Sequence, residues 1–473
     1  MKILVIGSGG REHAICAAFE RSERVSKIFC APGNAGIADI AECVPIKQDE
    51  IEQLAEFVAA NGIDLTFVGG ETALALGIVD EFKSRGLKIV GASKAAAELE
   101  ASKSFAKDFM SRHGIPTAKY ATAHSTTSAV SILESGDFGN ENDPVVVKAD
   151  GLAAGKGVVV AKDRREAIKA INELEALVGK GATEKIVLEE CLFGREVSLL
   201  LFADGENFAL MPPTRDHKRI GEGDTGPNTG GMGTITDSTL LTNEQMNTII
   251  EQMIKPTLKG CVAEGFPFRG VLFLGIMLAE GRSPTVRKGY ILPSVQVLPN
   301  GQASAPEDAV PMLLEYNVRF GDPETQSILV RLNTDLVDIC EAILDGALDK
   351  LPISWRKGNS ATVVLAAYGY PEKPRSGDVI SGVEKAASHP DISIFHAGTA
   401  YIKDETQTIN DTLSSSDSPF TIPHSPLLIA SGGRVLGVTA TANNLPEALR
   451  KAYEAAGDIS WEGIQFRSDI GKK

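Results

Sequence analysis

The sequence predicts a multidomain protein of the α/β and α+β classes, with a parallel sheet at its N-terminal end. The chain has 473 residues, which is enough for two to four domains. Hydrophobic residues make up 43% and charged residues 23% of the chain, an ordinary globular composition that excludes wholesale disorder. Short apolar runs alternate with helical stretches near the N-terminus, a pattern typical of a parallel sheet covered by helices on both faces.

The first hundred residues carry this alternation. Strands are predicted over residues 2–6, 27–30, 65–68 and 88–90, and helices over residues 12–21, 51–60 and 73–85. Loops follow the strand ends at residues 7–12, 32–36 and 69–72. Ligands of parallel sheets bind beyond the carboxyl ends of the strands, so these three segments are candidate ligand-binding loops.

Beyond residue 102 the pattern changes to a mixture of strands and helices, which predicts α+β architecture. Strands are predicted over residues 144–148, 158–161, 185–189, 196–203, 271–279, 311–317, 362–366, 393–396 and 434–439. Helices are predicted over residues 102–113, 164–178, 243–264 and 446–455. Residues 406–425 are rich in Ser and Thr, which is typical of a mobile loop.

Charge and cysteine content exclude several classes of protein. The formal net charge is −15, from 62 acidic and 47 basic residues, which disfavours a general binder of nucleic acid or of a membrane surface. The six cysteines show no C-x-x-C spacing, so they are predicted to be reduced thiols in the cytoplasm. The N-terminus has no signal-peptide pattern, and the longest apolar stretch, residues 271–279, is far below the roughly 20 residues of a membrane helix.

The loop Gly7-Ser-Gly-Gly-Arg-Glu12 follows a predicted strand and opens a predicted helix. Backbone amides at a helix start favour an anion. A dinucleotide-binding fingerprint would place glycine where Glu12 stands, and a carboxylate after the second strand, where Ala31-Pro-Gly33 stands. The pattern therefore favours a phosphate-bearing substrate, assisted by Arg11, over NAD. A tight turn without a ligand is the alternative interpretation.

Two further patterns indicate phosphate and metal chemistry. The glycine-rich loop at residues 151–157 lacks Walker spacing, but its place between two strands is typical of a flap over a triphosphate, with Lys148 directed at the same phosphates. Glu315 and Asn317 lie at i and i+2 on one strand face, and their oxygen atoms suit Mg²⁺. A hairpin without a ligand and an exposed strand face are the alternatives.

Six motifs follow one another in order along nearly the whole chain. They are Gly9-Gly-Arg-Glu-His-Ala14, Ala31-Pro-Gly-Asn-Ala-Gly36, Lys148-Ala-Asp-Gly-Leu-Ala-Ala-Gly-Lys-Gly157, Asp216-His-Lys-Arg219, Pro227-Asn-Thr-Gly-Gly-Met-Gly233 and Arg319-Phe-Gly-Asp-Pro-Glu-Thr-Gln-Ser327. Together they resemble the phosphoribosylamine–glycine ligase family of the ATP-grasp superfamily. The last motif is the most specific of the six.

The resemblance implies a domain arrangement. An N-terminal α/β domain over residues 1–102 faces phosphoribosylamine. An ATP-grasp domain spans residues 103–334 and includes a small lid subdomain at about 122–192. A C-terminal α+β domain spans residues 335–473.

The resemblance also implies a reaction. ATP, glycine and 5-phosphoribosylamine give ADP, phosphate and glycinamide ribonucleotide through glycyl phosphate, in de novo purine biosynthesis. The implied cofactor is Mg²⁺ or Mn²⁺, with ATP as co-substrate. The implied partners are these small molecules and neighbouring enzymes of the same pathway in the cytoplasm, without nucleic acid or membrane.

Site residues carried over from the resemblance fall into four groups. The ATP group is Lys103, Lys148, Gly155, Lys156, Gly157, Glu189, Glu190, Cys191, Leu192, Glu196, Arg219 and Asn228. The group facing phosphoribosylamine or glycine is Gly9, Gly10, Arg11, Glu12, Asn34, Asp216 and Lys218. The metal group is Glu315 and Asn317, and the groups nearest the reacting atoms are Arg319, Asp322 and Asp216.

Some features depart from the family pattern. Gly69-Gly-Glu-Thr-Ala-Leu74 keeps Glu71 but lacks the family's two prolines, and residues 272–275 offer no second metal-binding carboxylate. Two segments, at about 281–310 and 406–425, are longer than in compact members. The first is predicted to be peripheral to catalysis, because a longer connection costs little loop entropy.

Three other functions stay open at this point. One is an ATP-grasp ligase or carboxylase that uses a different acid and nucleophile. Another is a nicotinamide oxidoreductase, which Glu12 opposes. The third is a non-catalytic binding module, which the joint presence of Lys148, Glu315 and Asn317 opposes.

Overall fold

The computed structural model describes residues 1–151, 157–179, 184–280, 309–402 and 426–472. Most of the glycine loop at 151–157, nearly all of the segment 281–310 and the segment 406–425 therefore lie outside the described residues. None of the described helices is long and apolar enough to cross a membrane.

The N-terminal region is a parallel sheet with helices on both faces, as predicted. Its strands are β1 (Lys2–Gly7), β2 (Lys27–Pro32), β3 (Glu42–Cys43), β4 (Leu65–Val68) and β5 (Ile89–Val90), in the order β3-β2-β1-β4-β5. Its helices are α1 (Gly10–Glu20), α2 (Ile51–Asn61), α3 (Glu71–Leu76), α4 (Ile78–Ser84) and α5 (Lys94–Ala101). Alternate residues of β1 enter different cores: Leu4 and Ile6 pack on one side, and Ile3 and Val5 on the other.

The helix predicted over residues 73–85 is wrong as a single element. Two helices, α3 and α4, meet at Gly77, whose φ of +94° ends the first helix in a left-handed conformation. Glycine adopts this conformation without the steric cost that a Cβ atom brings. The break leaves Glu71 in the first turn of α3, at the loop that follows β4.

A small antiparallel sheet follows helix α6 (Lys103–Arg112). It has the order β6-β9-β7-β8, with strands β6 (Tyr120–Ala123), β7 (Val145–Ala149), β8 (Val158–Ala161) and β9 (Ile186–Glu190). Helices α7 (Thr126–Glu134) and α8 (Arg164–Val178) pack against it. Lys148 pairs with Val158, so the glycine loop joins neighbouring antiparallel strands, as predicted.

The remaining strands build one large sheet and two ribbons. They are β10 (Gly194–Asp204), β11 (Phe208–Leu210), β12 (Thr214–Asp216), β13 (Arg219–Gly221), β14 (Thr225–Asn228), β15 (Gly233–Thr236), β16 (Arg269–Ala279), β17 (Val310–Asn317), β18 (Asn359–Ala366), β19 (Ile392–His396), β20 (Thr399–Ile402), β21 (Leu427–Ala430) and β22 (Arg434–Ala442). The large sheet has the order β17-β16-β10-β12-β15-β18-β22-β19, with β11 beside β10. It is continuous from the central to the C-terminal region through the pairing of β15 with β18.

The helices of this half cover the large sheet and its ends. They are α9 (Asn243–Ile249), α10 (Lys255–Ala263), α11 (Glu324–Leu329), α12 (Leu336–Asp345), α13 (Val383–Ala387) and α14 (Leu445–Ala456). The helix predicted over residues 243–264 is present, with a π-helical turn at Ile250–Ile254 between α9 and α10. Strands β16 and β17 pair as neighbours, as expected for the two strands that flank the segment 281–310.

Candidate active site

A cavity of about 1440 Å³ lies where the N-terminal sheet, the small sheet and the large sheet meet. Most of the predicted site residues line it: Arg11, Lys103, Lys148, Gly157, Glu189, Glu190, Cys191, Leu192, Glu196, Asp216, Lys218, Arg219, Asn228, Glu315, Asn317, Arg319 and Asp322. Four predicted residues, Gly9, Gly10, Glu12 and Asn34, are not part of this lining. Gly155 and Lys156 lie outside the described residues.

Glu315 and Asn317 stand at the end of β17, beside β16. Glu315 pairs with Gly275, where an added Cβ atom would come within 3.0 Å of the Glu315 Cγ atom. The segment 272–275 therefore contributes space for Glu315 rather than a second carboxylate. Burial opposes the charge of Glu315, but Lys218, Lys148 and Lys103 together lower its pKa below the ordinary value. The carboxylate is consequently ionised at neutral pH.

Glu189 lies between two lysines on the floor of the cavity. Its Oε1 atom is 2.7 Å from the Lys148 Nζ atom, and its Oε2 atom is 2.9 Å from the Lys107 Nζ atom. All three side chains are buried. Burial lowers the pKa of Lys107 to about 8, against the opposing charge of Glu189. Glu189 therefore orients Lys148, while the main chain of Glu190, Cys191 and Leu192 continues along the cavity wall.

The Lys103 side chain contacts the first residue of the glycine loop. Its Nζ atom donates a hydrogen bond of 3.1 Å to the main-chain oxygen of Gly151, the last described residue before the gap. Asp150 accepts a hydrogen bond of 3.0 Å from the Ser104 amide, which fixes the strand end against the start of α6. Burial lowers the pKa of Lys103. Two lysines, 103 and 148, thus face the same end of the cavity from different elements.

Lys218 and Glu196 form an ion pair across the cavity, with the Lys218 Nζ atom 2.7 Å from Glu196 Oε2. Glu196 raises the pKa of Lys218 above its ordinary value. Arg219 and Asn228 occupy paired positions on β13 and β14, and the Arg219 guanidinium donates a hydrogen bond of 2.6 Å to the main-chain oxygen of Gly226. Residues expected to bind different substrates therefore lie side by side.

Asp216, which is half-buried, and Glu324, which is buried, are two carboxyl groups on the cavity wall. Burial, and then the charge of Glu324, raise the pKa of Asp216, and burial raises the pKa of Glu324. The Ser198 hydroxyl donates a hydrogen bond of 3.4 Å to Glu324. Carboxyl groups whose protonated form is favoured are suited to exchange a proton during a reaction. Glu324 lies within the specific motif at 319–327, but its carboxyl group was not among the predicted site residues.

Arg319 and Asp322 are engaged with partners from distant elements. Arg319 Nη2 is 2.8 Å from Glu100 Oε1, and its Nε atom donates a hydrogen bond of 3.2 Å to Glu71. Asp322 Oδ2 accepts a hydrogen bond of 2.8 Å from Arg434, a residue at the start of β22. Burial opposes ionisation of Asp322, but Arg434 and then Arg11 lower its pKa. These contacts join three parts of the chain at one point of the cavity.

The carboxylate of Glu12 holds the loop at residues 7–12 and the Arg11 side chain in place. Glu12 is buried, and its two oxygen atoms accept hydrogen bonds of 2.6 Å from the Gly9 amide and from the Arg11 Nε atom. Asn34 donates hydrogen bonds of 2.8 Å to the main-chain oxygens of Ser8 and His396. Of the substrate residues predicted in this region, Arg11 is the one whose side chain lines the cavity.

Family models cover nearly the entire chain. The models described as phosphoribosylglycinamide synthetase match with their N domain over residues 1–100, their ATP-grasp (A) domain over residues 101–325 and their C domain over residues 360–473. The chain belongs to the phosphoribosylglycinamide synthetase family. The resemblance found in the sequence motifs is thereby confirmed.

Relatives and solved structures agree with the phosphoribosylglycinamide synthetase assignment. A phosphoribosylamine–glycine ligase of Chlorobaculum tepidum is 42% identical, covering all of both chains. The crystal structure of a phosphoribosylamine–glycine ligase from Thermotoga maritima has a TM-score of 0.77 at 31% identity, again covering all of both chains. A biotin carboxylase from Campylobacter jejuni shares the fold alone, with a TM-score of 0.66 at 15% identity over 98% of this chain and 92% of the other.

Four residues of this phosphoribosylglycinamide synthetase site were missed from the sequence, Glu324 among them. Lys107 lies one helical turn after Lys103, a spacing that places both on one helix face. Glu100 was absent from the prediction as well. Arg434 carries no local signal, since it is a single arginine after Gly432 and Gly433 in an otherwise apolar strand.

Proposed function

We propose that this protein joins glycine to 5-phosphoribosylamine with hydrolysis of ATP to ADP and phosphate, giving glycinamide ribonucleotide for purine biosynthesis. The observation that carries the proposal is a cavity in which the ionised Glu315 faces Lys103, Lys148 and Lys218. Full-length relatives named phosphoribosylamine–glycine ligase support it. The six unpaired cysteines support a reducing compartment, the cytoplasm, as its location.

ATP is assigned to the part of the cavity between the small sheet and β17. Lys103 and Lys148 are assigned to its phosphates, and the segment from Glu189 to Leu192 to its adenine, read by main-chain groups. Because Glu189 already faces two lysines, its carboxylate is assigned to orienting Lys148 rather than to contact with the base. Glu196, which pairs with Lys218 in the same cavity, is assigned to the ribose hydroxyls.

Mg²⁺ or Mn²⁺ is assigned to Glu315 and Asn317. One carboxylate and one amide oxygen fit a hard cation that keeps waters and substrate phosphates as its other ligands. Among the described residues no group of three or more His, Cys, Asp or Glu side chains could hold a metal ion. When bound, the cation neutralises phosphate charge.

The first chemical step brings two anions together. An oxygen of the glycine carboxylate attacks the γ-phosphorus of ATP, the bond from phosphorus to the bridging oxygen breaks, and ADP leaves. Lys103, Lys148 and Lys218 reduce the repulsion between the two anions, because preorganised positive charges in a cavity stabilise developing negative charge. The glycine loop, residues 151–157, is assigned to shielding the glycyl phosphate from water.

The second step forms the amide bond. The amine nitrogen of phosphoribosylamine attacks the carbonyl carbon of glycyl phosphate, the carbon–oxygen bond to phosphate breaks, and the nitrogen loses one proton. Asp216 and Glu324 are assigned to receive that proton, since both line the cavity and burial raises both pKa values, which makes each carboxylate a stronger base. Arg11, on the opposite wall, is assigned to the phosphate of phosphoribosylamine.

Release of ADP tests this assignment. The purified protein is incubated with Mg-ATP, glycine and freshly prepared phosphoribosylamine, and each component is then omitted in turn. We expect sustained ADP release only when all three are present. ADP release that depends on bicarbonate instead of glycine would contradict the proposal and favour a carboxylase, the activity named for a structural neighbour of the same fold.

Arg11→Ala should raise the KM for phosphoribosylamine by about 10-fold or more and leave the KM for ATP nearly unchanged. Arg11 lies in the first turn of helix α1 in the N-terminal region, and removing a charge-assisted contact to a phosphate costs roughly this much. Steady-state kinetics with each substrate varied separately measures both constants. The matched control is Arg24→Ala, an exposed arginine of the same region that pairs with Asp338 and Glu341. A rise in the KM for ATP alone would place the nucleotide at this loop.

A further inference from the structure

Strands β13 and β14, with the turn between them, form a two-stranded ribbon at the rim of the cavity. Within the described parts of the chain these two strands pair only with each other. β14 is exposed along its whole length, and so is the turn at residues 222–224. An isolated two-stranded ribbon is marginally stable in water. The ribbon carries Arg219 and Asn228, so its position decides where these two side chains meet a ligand.

The segment at residues 467–472 supplies the missing support, beginning with Arg467. This arginine is 2% exposed, although its contacts lie at the surface of the molecule. Its Nη1 atom donates hydrogen bonds of 3.0 Å to the main-chain oxygen of Arg219 and of 2.8 Å to Asp224. Its Nε and Nη2 atoms donate to the two oxygens of Asp469, at 2.7 and 2.8 Å. One guanidinium therefore ties the start of β13 to the turn.

Two further residues of the segment hold the same turn. Asp469 accepts a hydrogen bond of 2.8 Å from the Gly223 amide, in addition to its contacts with Arg467. The Ser468 hydroxyl donates to Glu222. Gly223 and Asp224 have φ values of +63° and +57°, so both residues of the turn have a left-handed backbone conformation. The contacts from Ser468 and Asp469 hold the turn in this conformation.

The segment is itself anchored in the C-terminal core. Ile470 is fully buried, and the Tyr453 hydroxyl of α14 donates to the Arg467 oxygen at 2.8 Å and accepts from the Ile470 amide at 3.0 Å. The Gly471 amide donates a hydrogen bond of 3.0 Å to His217 Nε2, while His217 Nδ1 lies 3.1 Å from the Gly233 oxygen. Burial lowers the pKa of His217 to about 4, so the neutral ring donates through Nδ1 and accepts through Nε2.

We propose that residues 467–472 position the ribbon over the cavity, and that Arg467 is a positioning residue for the binding of the ATP phosphates by Arg219 and Asn228. This inference rests on the function proposed above, because it takes the ligand of the ribbon to be a nucleoside triphosphate. It assigns the C-terminal region a part in nucleotide binding that acts through the position of the ribbon. The guanidinium fork is required, since a lysine cannot reach Arg219, Asp224 and Asp469 together.

Arg467→Met tests the proposal by two independent measurements. Hydrogen exchange of the amides at residues 219–228 should become faster, while the exchange of α14 stays as in the wild type. The Kd for ATP should rise about 10-fold, the size expected when a residue that supports a ligand-binding group is lost, with the KM values for glycine and phosphoribosylamine unchanged. The control is Arg450→Ala, an exposed arginine of α14 that pairs with Glu454, for which no change is expected.

Arg219→Met separates this proposal from the function itself. If Arg219→Met raises the Kd for ATP and Arg467→Met loosens the ribbon without raising it, positioning is overturned while the ligase function stands. If neither variant changes the Kd for ATP, the ribbon does not bind the nucleotide and the proposal is overturned too. Failure of the ligase function would appear separately, as absence of glycine-dependent ADP release by the wild type.

Two further variants guard against a purely structural effect. Arg467→Lys should recover only part of the ATP affinity, since its charge is kept and its fork is lost; full recovery would overturn the geometric argument. Asp224→Asn removes the negative charge from the contact on the ribbon side and leaves only a neutral acceptor for Arg467, and asparagine tolerates the positive φ of this position. It should shift ribbon exchange and ATP affinity in the same direction as Arg467→Met, even where the latter fails to fold, and an unchanged affinity would contradict the proposal.

Discussion

Glu315→Gln is expected to lower kcat by about 100-fold or more, as when a preorganised electrostatic group is removed. The substitution keeps the shape of the side chain beside Gly275 but removes its charge. Lys103, Lys148 and Lys218 then lose the negative charge that they share. The cation, which is assigned to Glu315 and Asn317, loses the one carboxylate of that pair. Turnover at several Mg²⁺ concentrations measures the effect, and we expect excess Mg²⁺ to restore little of it.

Glu251→Gln is the matched control for this experiment. Glu251 is an exposed glutamate of the π-helical turn at Ile250–Ile254, and it pairs with Lys255 at the start of α10. It is not part of the cavity lining. It should have wild-type kcat. Near-normal turnover of folded Glu315→Gln at ordinary Mg²⁺ would remove Glu315 from the metal assignment.

Arg434→Met should lower kcat by roughly 100-fold, because it leaves the half-buried carboxylate of Asp322 without its main counter-charge in the cavity. Arg434 donates to Asp322 Oδ2 at 2.8 Å and to the main-chain oxygens of Asp322 and Gly230, each at 2.6 Å. Arg434 and Arg11 hold the pKa of Asp322 below its ordinary value against the effect of burial. Without Arg434 that pKa rises, so the acid limb of the pH–rate profile should move to higher pH.

The pH profile distinguishes this role from a simple loss of stability. Arg375→Met is the control, an arginine of the same region that pairs with Asp378 away from the cavity. It should leave both kcat and the acid limb unchanged. Arg434→Lys should keep the acid limb closer to the wild type than Arg434→Met does, since its charge is retained. A lowered kcat with an unshifted acid limb in Arg434→Met would contradict the link to Asp322.

Much of the fold could be predicted from local patterns. Four of the five strands of the N-terminal sheet, β1, β2, β4 and β5, are short apolar runs that end at or just before glycine or proline, which is the pattern of strands buried on both faces. The two-residue strand β3 was not predicted, because it has no apolar run. The strand–loop–strand arrangement around the glycine loop and the neighbouring pair β16 and β17 were predicted for similar reasons. The break at Gly77 was not, because a glycine inside an apolar helical pattern is also compatible with a continuous helix.

The candidate site likewise contains residues that a local sequence pattern predicts and contacts that no local pattern predicts. Glu315 and Asn317 were found because a strand places positions i and i+2 on one face, which is a local property. The ion pairs of the site have no such local signature. Glu189 between Lys107 and Lys148, and Glu196 with Lys218, form only when strands from different parts of the chain come together.

The sequence by itself determined most of the longer strands and helices, the glycine-containing loops at the strand ends and the positions of the oxygen and lysine groups suited to ATP chemistry. It did so because apolar periodicity and turn residues act over a few neighbouring positions. Only the tertiary structure decided which charges neutralise one another. Arg434 and Asp322 are 112 positions apart, and strand order and register bring them to 2.8 Å. Coulomb interactions between buried groups depend on that final distance and on the exclusion of water, neither of which a local pattern records.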